Sequence, residues 1–204
     1  MDSRVKIVKA NKPGIALALK YLRAGKSVVY PTDTAYGLGV DAENAKAVQC
    51  LYKIKGRGYK KPTHVIVHNS SAVKKCTIVT PSGLRLMRKF WPGALTIVLD
   101  LKSKKSGLRM LSAGTGTIGV RMPDDEIALA LAKKLGRPIT TTSANPAGGP
   151  APYTIQDSAK QFKNRARQPD LYLDGGKLPK TKPSTIVSLK YDKIEVLRRG
   201  PIKL

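Results

Sequence analysis

The sequence predicts an α/β fold built on a single twisted mixed sheet with helices packed on it, and three observations lead there. Along the chain, helical periodicity alternates with short apolar runs, and Gly, Pro and hydroxyl-rich turns separate them. Strands outnumber helices and several follow one another, which points to a mixed sheet rather than a purely parallel one. The 204 residues suit one domain, so 1–204 is read as a single unit.

Pro13-Gly14 opens a helix through Ile15, Leu19 and Leu22 that Gly25 closes. Ser27 to Tyr30 is a short buried strand ending at Pro31, and Ala42 to Ile54 is helical with Ala47, Val48, Leu51 and Ile54 on one face. Val65 to Val67 is a strand. Leu84 to Phe90 is a helix, broken by Trp91-Pro92-Gly93 before the strand Leu95 to Leu101. Lys102 to Gly116 is polar, basic and Gly/Ser-rich, which predicts a mobile surface loop. Thr117 to Met122 is a strand, and Glu126 to Leu135 is a helix with Gly136 past its end. The strand Pro138 to Thr142 and a helix over Thr154 to Phe162 follow. Three strands close the chain, at 171–173, 185–189 and 194–197.

Hydrophobic residues at 41% provide a core, but aromatic residues are only 5%, so Val, Ile, Leu and Ala must fill it. The charge is extreme: 38 Lys and Arg against 13 Asp and Glu give +25. Such a field either attracts polyanions, from a nucleotide triphosphate to RNA, or is simply solvated all round. It runs from Lys6 to Lys203 without a basic tail, so the fold must assemble any anion site. Cys50 and Cys76 have neither metal spacing nor a disulfide framework, and Cys50 reads as a small core residue. No apolar run approaches ~20 residues and no signal pattern opens the chain, so a cytoplasmic protein with no membrane segment is expected.

Four segments carry candidate chemistry, each with a plain alternative. Pro31 to Gly39 (PTDTAYGLG) leaves hydroxyls and backbone N–H groups free at a strand end, or is a Thr-capped turn. Lys55-Gly56-Arg57 places a point charge beside a planar fork, as a triphosphate clamp requires, or is a solvated basic turn. In an extended stretch the two side chains would project to the same side. In Thr117 to Pro123, Arg121 interrupts an apolar strand; a buried arginine needs a partner, either a ligand carboxylate or an acidic side chain. Thr140 to Gly149 offers four hydroxyls, Asn145 and glycines, suited to phosphate or amino-acid recognition or to a Ser/Asn-rich turn.

Neither a P-loop nor a G-x-G-x-x-G motif is present, and His64 and His68 form no triad or zinc spacing with the cysteines. Chemistry by positioning and charge stabilisation fits better than histidine or metal hydrolysis.

In this order the segments resemble the YrdC family: P-T-[DE]-T-x-Y-G-L-G, K-x-R, W-P-G-x-L-T, T-x-x-V-R-M-P, S-A-N-x-x-G, S-T-[IV]-V and L-R-x-G, from Pro31 to Gly200. The resemblance implies a mixed sheet with a basic concave face, in the short single-domain form. It also implies synthesis of threonylcarbamoyl-AMP from ATP, L-threonine and bicarbonate with release of pyrophosphate, for tRNA modification. A downstream threonylcarbamoyl-transfer complex and tRNA or double-stranded RNA are the implied partners, and Mg2+ is expected with the ATP. Transferred residue by residue, Lys55, Arg57, Ser143 and Asn145 hold the ATP phosphates, and Thr117 and Arg198 add nucleotide contacts. Arg121 takes the threonine carboxylate, with Thr34 and Thr141 completing that pocket. The chain departs from the pattern after Arg57, where Gly58 and Pro62-Thr63-His64 replace the usual Pro and P-L-[IV], and at Ala151, where some relatives have serine. The competing reading is a non-catalytic RNA-binding or ribosome-associated protein of this fold. The charge favours it, whereas one Trp and two Phe give little stacking platform.

Overall fold

The computed structural model describes residues 6–204. In chain order the elements are β1 (Ile7–Lys9), α1 (Lys12–Arg23), β2 (Val28–Tyr30), β3 (Gly37–Gly39), α2 (Ala45–Lys55), β4 (His64–Ile66), α3 (Ser70–Cys76), α4 (Pro81–Phe90) and β5 (Leu95–Asp100). They continue with α5 (Ser106–Leu111), β6 (Thr117–Arg121), α6 (Glu126–Leu135), β7 (Ile139–Ser143), α7 (Ile155–Phe162), β8 (Leu171–Asp174), β9 (Thr185–Ser188) and β10 (Glu195–Arg198).

Six of these helices begin where a side-chain oxygen takes an orphan backbone N–H: Asn11, Asn44, Asn69, Thr80, Asp125 and Thr154 each accept from the residue three further on. Helix α5 has no such cap. It lies in the segment expected to be a mobile loop, and the structure overturns that expectation. Leu108 and Leu111 are fully buried, and Gly107 packs so close to the chain at Glu43 that a Cβ would sit 2.8 Å from its carbonyl carbon. Burial of two leucines outweighs the polar composition around them.

All ten strands form one sheet, ordered β1-β8-β2-β3-β7-β4-β6-β5-β9-β10. It is mixed, as expected: β8 and β2, β4 and β6, and β5 and β9 run parallel, while β2–β3, β3–β7, β7–β4, β6–β5 and β9–β10 are antiparallel. The three closing strands do not stay together, because β8 lies between β1 and β2, far along the sheet from β9 and β10.

Strand residues alternate between two hydrophobic clusters, as the two-residue period requires. Val29, Val65, Ile118, Val120 and Tyr172 face a large cluster with α2, α3, α4, α5 and α7, whereas Val28, Tyr30, Ile66, Leu171 and Leu173 face a smaller one with α1 and α6. Positions 64, 119, 121, 141 and 143 share the face of the smaller cluster, which α1 and α6 cover only in part. The uncovered part holds the cavity.

Candidate active site

A cavity of about 340 Å3 opens on this uncovered face. Its floor comes from alternate residues of adjacent strands, with His64 on β4, Arg121 on β6, Thr141 and Ser143 on β7 and Thr96 on β5. Three arginines, Arg57, Arg121 and Arg198, line it, and no carboxylate does. The structure thus brings together Thr34, Arg57, Arg121, Thr141, Ser143 and Arg198 of the candidates named from the sequence.

Lys55 and Arg57 do not project side by side from an extended stretch. Lys55 ends α2, and Gly56 follows with φ 61°, a left-handed cap that turns the chain before Arg57. Lys55 is buried, and its ammonium donates to the carbonyls of Ser143 at 2.7 Å and Asn145 at 2.5 Å. It braces the end of β7 from behind instead of lining the cavity. Burial, and secondarily the charge of Arg57, push the Lys55 pKa down to about 7. Arg57 does line the cavity. Its guanidinium lies 5.3 Å from the Tyr52 ring centroid and donates to the carbonyl of Pro62 at 3.1 Å and to the Thr63 hydroxyl. Arg198, on the last strand, donates to the Ser184 carbonyl at 3.0 and 2.8 Å and to its hydroxyl at 3.1 Å.

The strand arginine finds an acidic side chain. Arg121 is buried, and its Nη2 pairs with the Asp33 carboxylate at 2.5 Å; Nη1 donates to the Thr34 hydroxyl at 3.0 Å and Nε to the Gly93 carbonyl at 3.0 Å. Of the two partners open to it from the sequence, the side chain of Asp33 holds it in the structure, and the guanidinium still lines the cavity. A guanidinium has five N–H donors, so these bonds leave others for a ligand. Burial lowers the Arg121 pKa and Asp33 works against that shift.

Two candidates lie off the lining. Asn145 is buried and turns its amide to the carbonyls of Pro146 and Gly149, at 2.7 Å each, with Oδ1 unpartnered. Thr117 is on the same sheet face as Arg121 but at the other end of β6, with its hydroxyl 2.9 Å from that of Thr115. Sequence reasoning singled out neither Thr181 nor Tyr153, which come from outside the strands. Thr181 donates to the Thr34 carbonyl at 3.0 Å, and Tyr153 to the Thr181 carbonyl at 3.1 Å, so the 175–183 segment is strapped across the rim. No local pattern marks them, because the strap exists only through contacts distant in sequence. His64 also lines the cavity; burial first, then Arg198, Arg57 and Arg121, push its pKa down to about 4, so the imidazole is neutral. Among the described residues no cluster of His, Cys, Asp and Glu could hold a metal ion, and no helix is long and apolar enough to cross a membrane.

The Sua5_yciO_yrdC family model, described as "Telomere recombination", matches residues 20–200. A Bacillus subtilis protein named "Threonylcarbamoyl-AMP synthase" is 37% identical over 196 residues, covering 96% of this chain and 56% of that protein. A Methanocaldococcus jannaschii protein named "Putative threonylcarbamoyl-AMP synthase" is 35% identical over 204 residues, covering 98% of this chain and 94% of its own length. The crystal structure of Pyrococcus abyssi Sua5 complexed with L-threonine superposes with a TM-score of 0.86 at 32% identity, over 96% of this chain and 57% of that one. The chain therefore spans little more than half of some relatives and nearly all of others, and it belongs to the Sua5/YciO/YrdC family.

Proposed function

We propose that this chain synthesises threonylcarbamoyl-AMP from ATP, L-threonine and bicarbonate and releases pyrophosphate. The observation that carries the reading is one cavity with two kinds of anion site. Arg121 with Thr34 suits a carboxylate, while Arg57, Arg198 and the Ser143 hydroxyl suit phosphates. The names of its relatives, and the threonine bound to the Pyrococcus protein, point the same way.

In this reading the threonine carboxylate rests on Arg121, with Thr34 and Thr141 beside it. The positive field of the three arginines disfavours the ammonium form, so the amine is more readily available as the neutral nucleophile. It adds to carbon dioxide with loss of a proton to solvent, or to bicarbonate with loss of water, to give a carbamate, and a carbamate oxygen attacks the α-phosphorus. The bond to the β,γ-diphosphate breaks, and pyrophosphate leaves into the field of Arg57 and Arg198. Lys55 fixes the Ser143 and Asn145 carbonyls, so it holds β7 in place beneath the phosphates. Magnesium carried by the triphosphate would offset part of the phosphate charge, with Arg57 and Arg198 meeting the remainder. The adenylate would then serve a separate transfer complex that modifies tRNA. The charge of +25 supports contact with the tRNA itself.

Purified protein with magnesium is expected to release pyrophosphate from ATP only when threonine and bicarbonate are both present. ATP turnover indifferent to threonine would sink this reading. A gel shift with tRNA that weakens steeply with salt would support the RNA contact separately.

A further inference from the structure

One cavity group has no place in that scheme. His64 opens β4, opposite Thr141 of β7, and two residues along β4 Ile66 lies opposite Arg121 of β6. His64 and Arg121 therefore share a sheet face on neighbouring strands, one pleat apart, with Cβ atoms roughly 8 Å from each other. The imidazole sits on Gly119. A Cβ there would overlap the ring, pressing on Cγ at 3.0 Å and on Nε2 at 3.1 Å. A strand glycine buried in a sheet is unfavourable unless something needs the space, and here the ring does. The imidazole faces the cavity.

The acceptors on this face are hydroxyls, with Thr141 directly opposite His64. No carboxylate lines the cavity. The Thr34 hydroxyl accepts from Arg121, the Ser184 hydroxyl accepts from Arg198, and the Thr181 hydroxyl donates to a backbone carbonyl. An amino acid held by its carboxylate brings donors, an amino group and, in threonine, a hydroxyl. Once out of water, each of these donors needs an acceptor. A neutral imidazole offers an sp2 lone pair without adding charge.

We infer that His64 is a substrate-binding residue, its imidazole accepting a hydrogen bond from an amino or hydroxyl group of the amino acid whose carboxylate rests on Arg121. This rests on the proposed function. It assigns to this chain a contact at the segment Pro62-Thr63-His64, where the sequence departs from the family pattern. Gly119 is the matching half of the device, because it leaves room for the ring.

The test is calorimetric titration of threonine and, separately, of ATP into the wild type, His64→Ala, His64→Asn, Gly119→Ala and the His64→Ala/Gly119→Ala double variant, with melting temperatures recorded. His64→Ala and Gly119→Ala are each expected to weaken threonine about tenfold, the value of one hydrogen bond, and to leave ATP within about twofold. His64→Asn, whose amide oxygen accepts, should recover part of the loss. The double variant should be no worse than the single ones, since both remove one contact. Unchanged threonine affinity in His64→Ala overturns the inference. So does parallel loss of threonine and ATP affinity with a lowered melting temperature, the signature of a packing role. If His64→Ala does not fold, His64→Asn and Gly119→Ala still decide it by the same split between threonine and ATP. A wild type that binds no threonine even with ATP defeats the proposed function and this inference together, whereas wild-type binding with unaffected variants defeats this inference alone.

Discussion

The two ends of the cavity handle positive charge in opposite ways. At the end assigned to phosphates, Arg57 and Arg198, with Lys55 behind β7, bond only carbonyls and hydroxyls, and none has an acidic partner among the described residues. At the other end, Arg121 is neutralised by Asp33. The contrast matches the proposed ligands. A triphosphate brings several negative charges and is best met by cations left uncompensated, while an amino acid is a zwitterion and is best met by a pair. It also separates stability from function: the paired end should fail structurally when broken, and the unpaired end should fail only in binding.

Arg121→Ala tests the paired end and is expected to have the largest effect. Threonine-dependent turnover should be abolished, and unfolding should come up to about 3 kcal/mol more easily because the half-buried Asp33 loses its partner. Adding Asp33→Asn should recover much of that stability, measured by denaturant titration, while turnover stays lost. If the double variant regains turnover, Arg121 is not the carboxylate site.

Lys55→Met tests the unpaired end. Turnover should drop about 100-fold, because β7 loses the brace that positions Ser143, while stability falls by no more than about 1–3 kcal/mol for two orphaned carbonyls. A stability loss as large as that of Arg121→Ala would erase the distinction.

A smaller effect concerns pH. The Lys55 pKa is lowered to about 7 from its ordinary 10.5, so between those values the unfolded chain holds a proton that the folded chain has released. Stability carried by this group therefore rises with pH across that window. Bound phosphates favour the ammonium, so ATP binding near pH 8 should take up a proton, read by calorimetry in buffers of different ionisation enthalpy. Lys55→Met should remove that uptake.

The smallest expected changes are at Thr117 and Lys102. Thr117 is off the cavity lining, so Thr117→Ala should raise the KM for ATP far less than Arg57→Ala does. Exposed Lys102→Ala should leave turnover unchanged.

Much of this was readable in the sequence, and the misses share one cause. Helices with a capping residue and an apolar stripe, such as α2 and α6, were found to within about three residues, because both signals are local. The expected strand at 117–122 is β6, and Arg121 stood out in it as the one charge in an apolar run. By contrast β3 is Gly37-Leu38-Gly39, which reads as a turn and becomes a strand only by pairing with β2 on one side and β7 on the other. Helix α5 lacks a cap, and β1 pairs with a strand 165 residues away at Ile7 and Tyr172. In the site, Arg57 and Ser143 were found through ordered motifs. The Asp33 partner of Arg121 and the contact of Thr181 with Thr34 join residues 88 and 147 positions apart, which no local pattern encodes.

The alternation that divides each strand between core and cavity has a further consequence. On β4 and β6, Val65 and Val120 pack in the larger cluster while their neighbours His64 and Arg121 face the cavity. The ligand-facing set can therefore change its chemistry while its neighbours keep the barrier to unfolding intact. A family on this frame is free to diverge in substrate by exchanging residues such as 64 and 141, whereas 121 has to change together with Asp33.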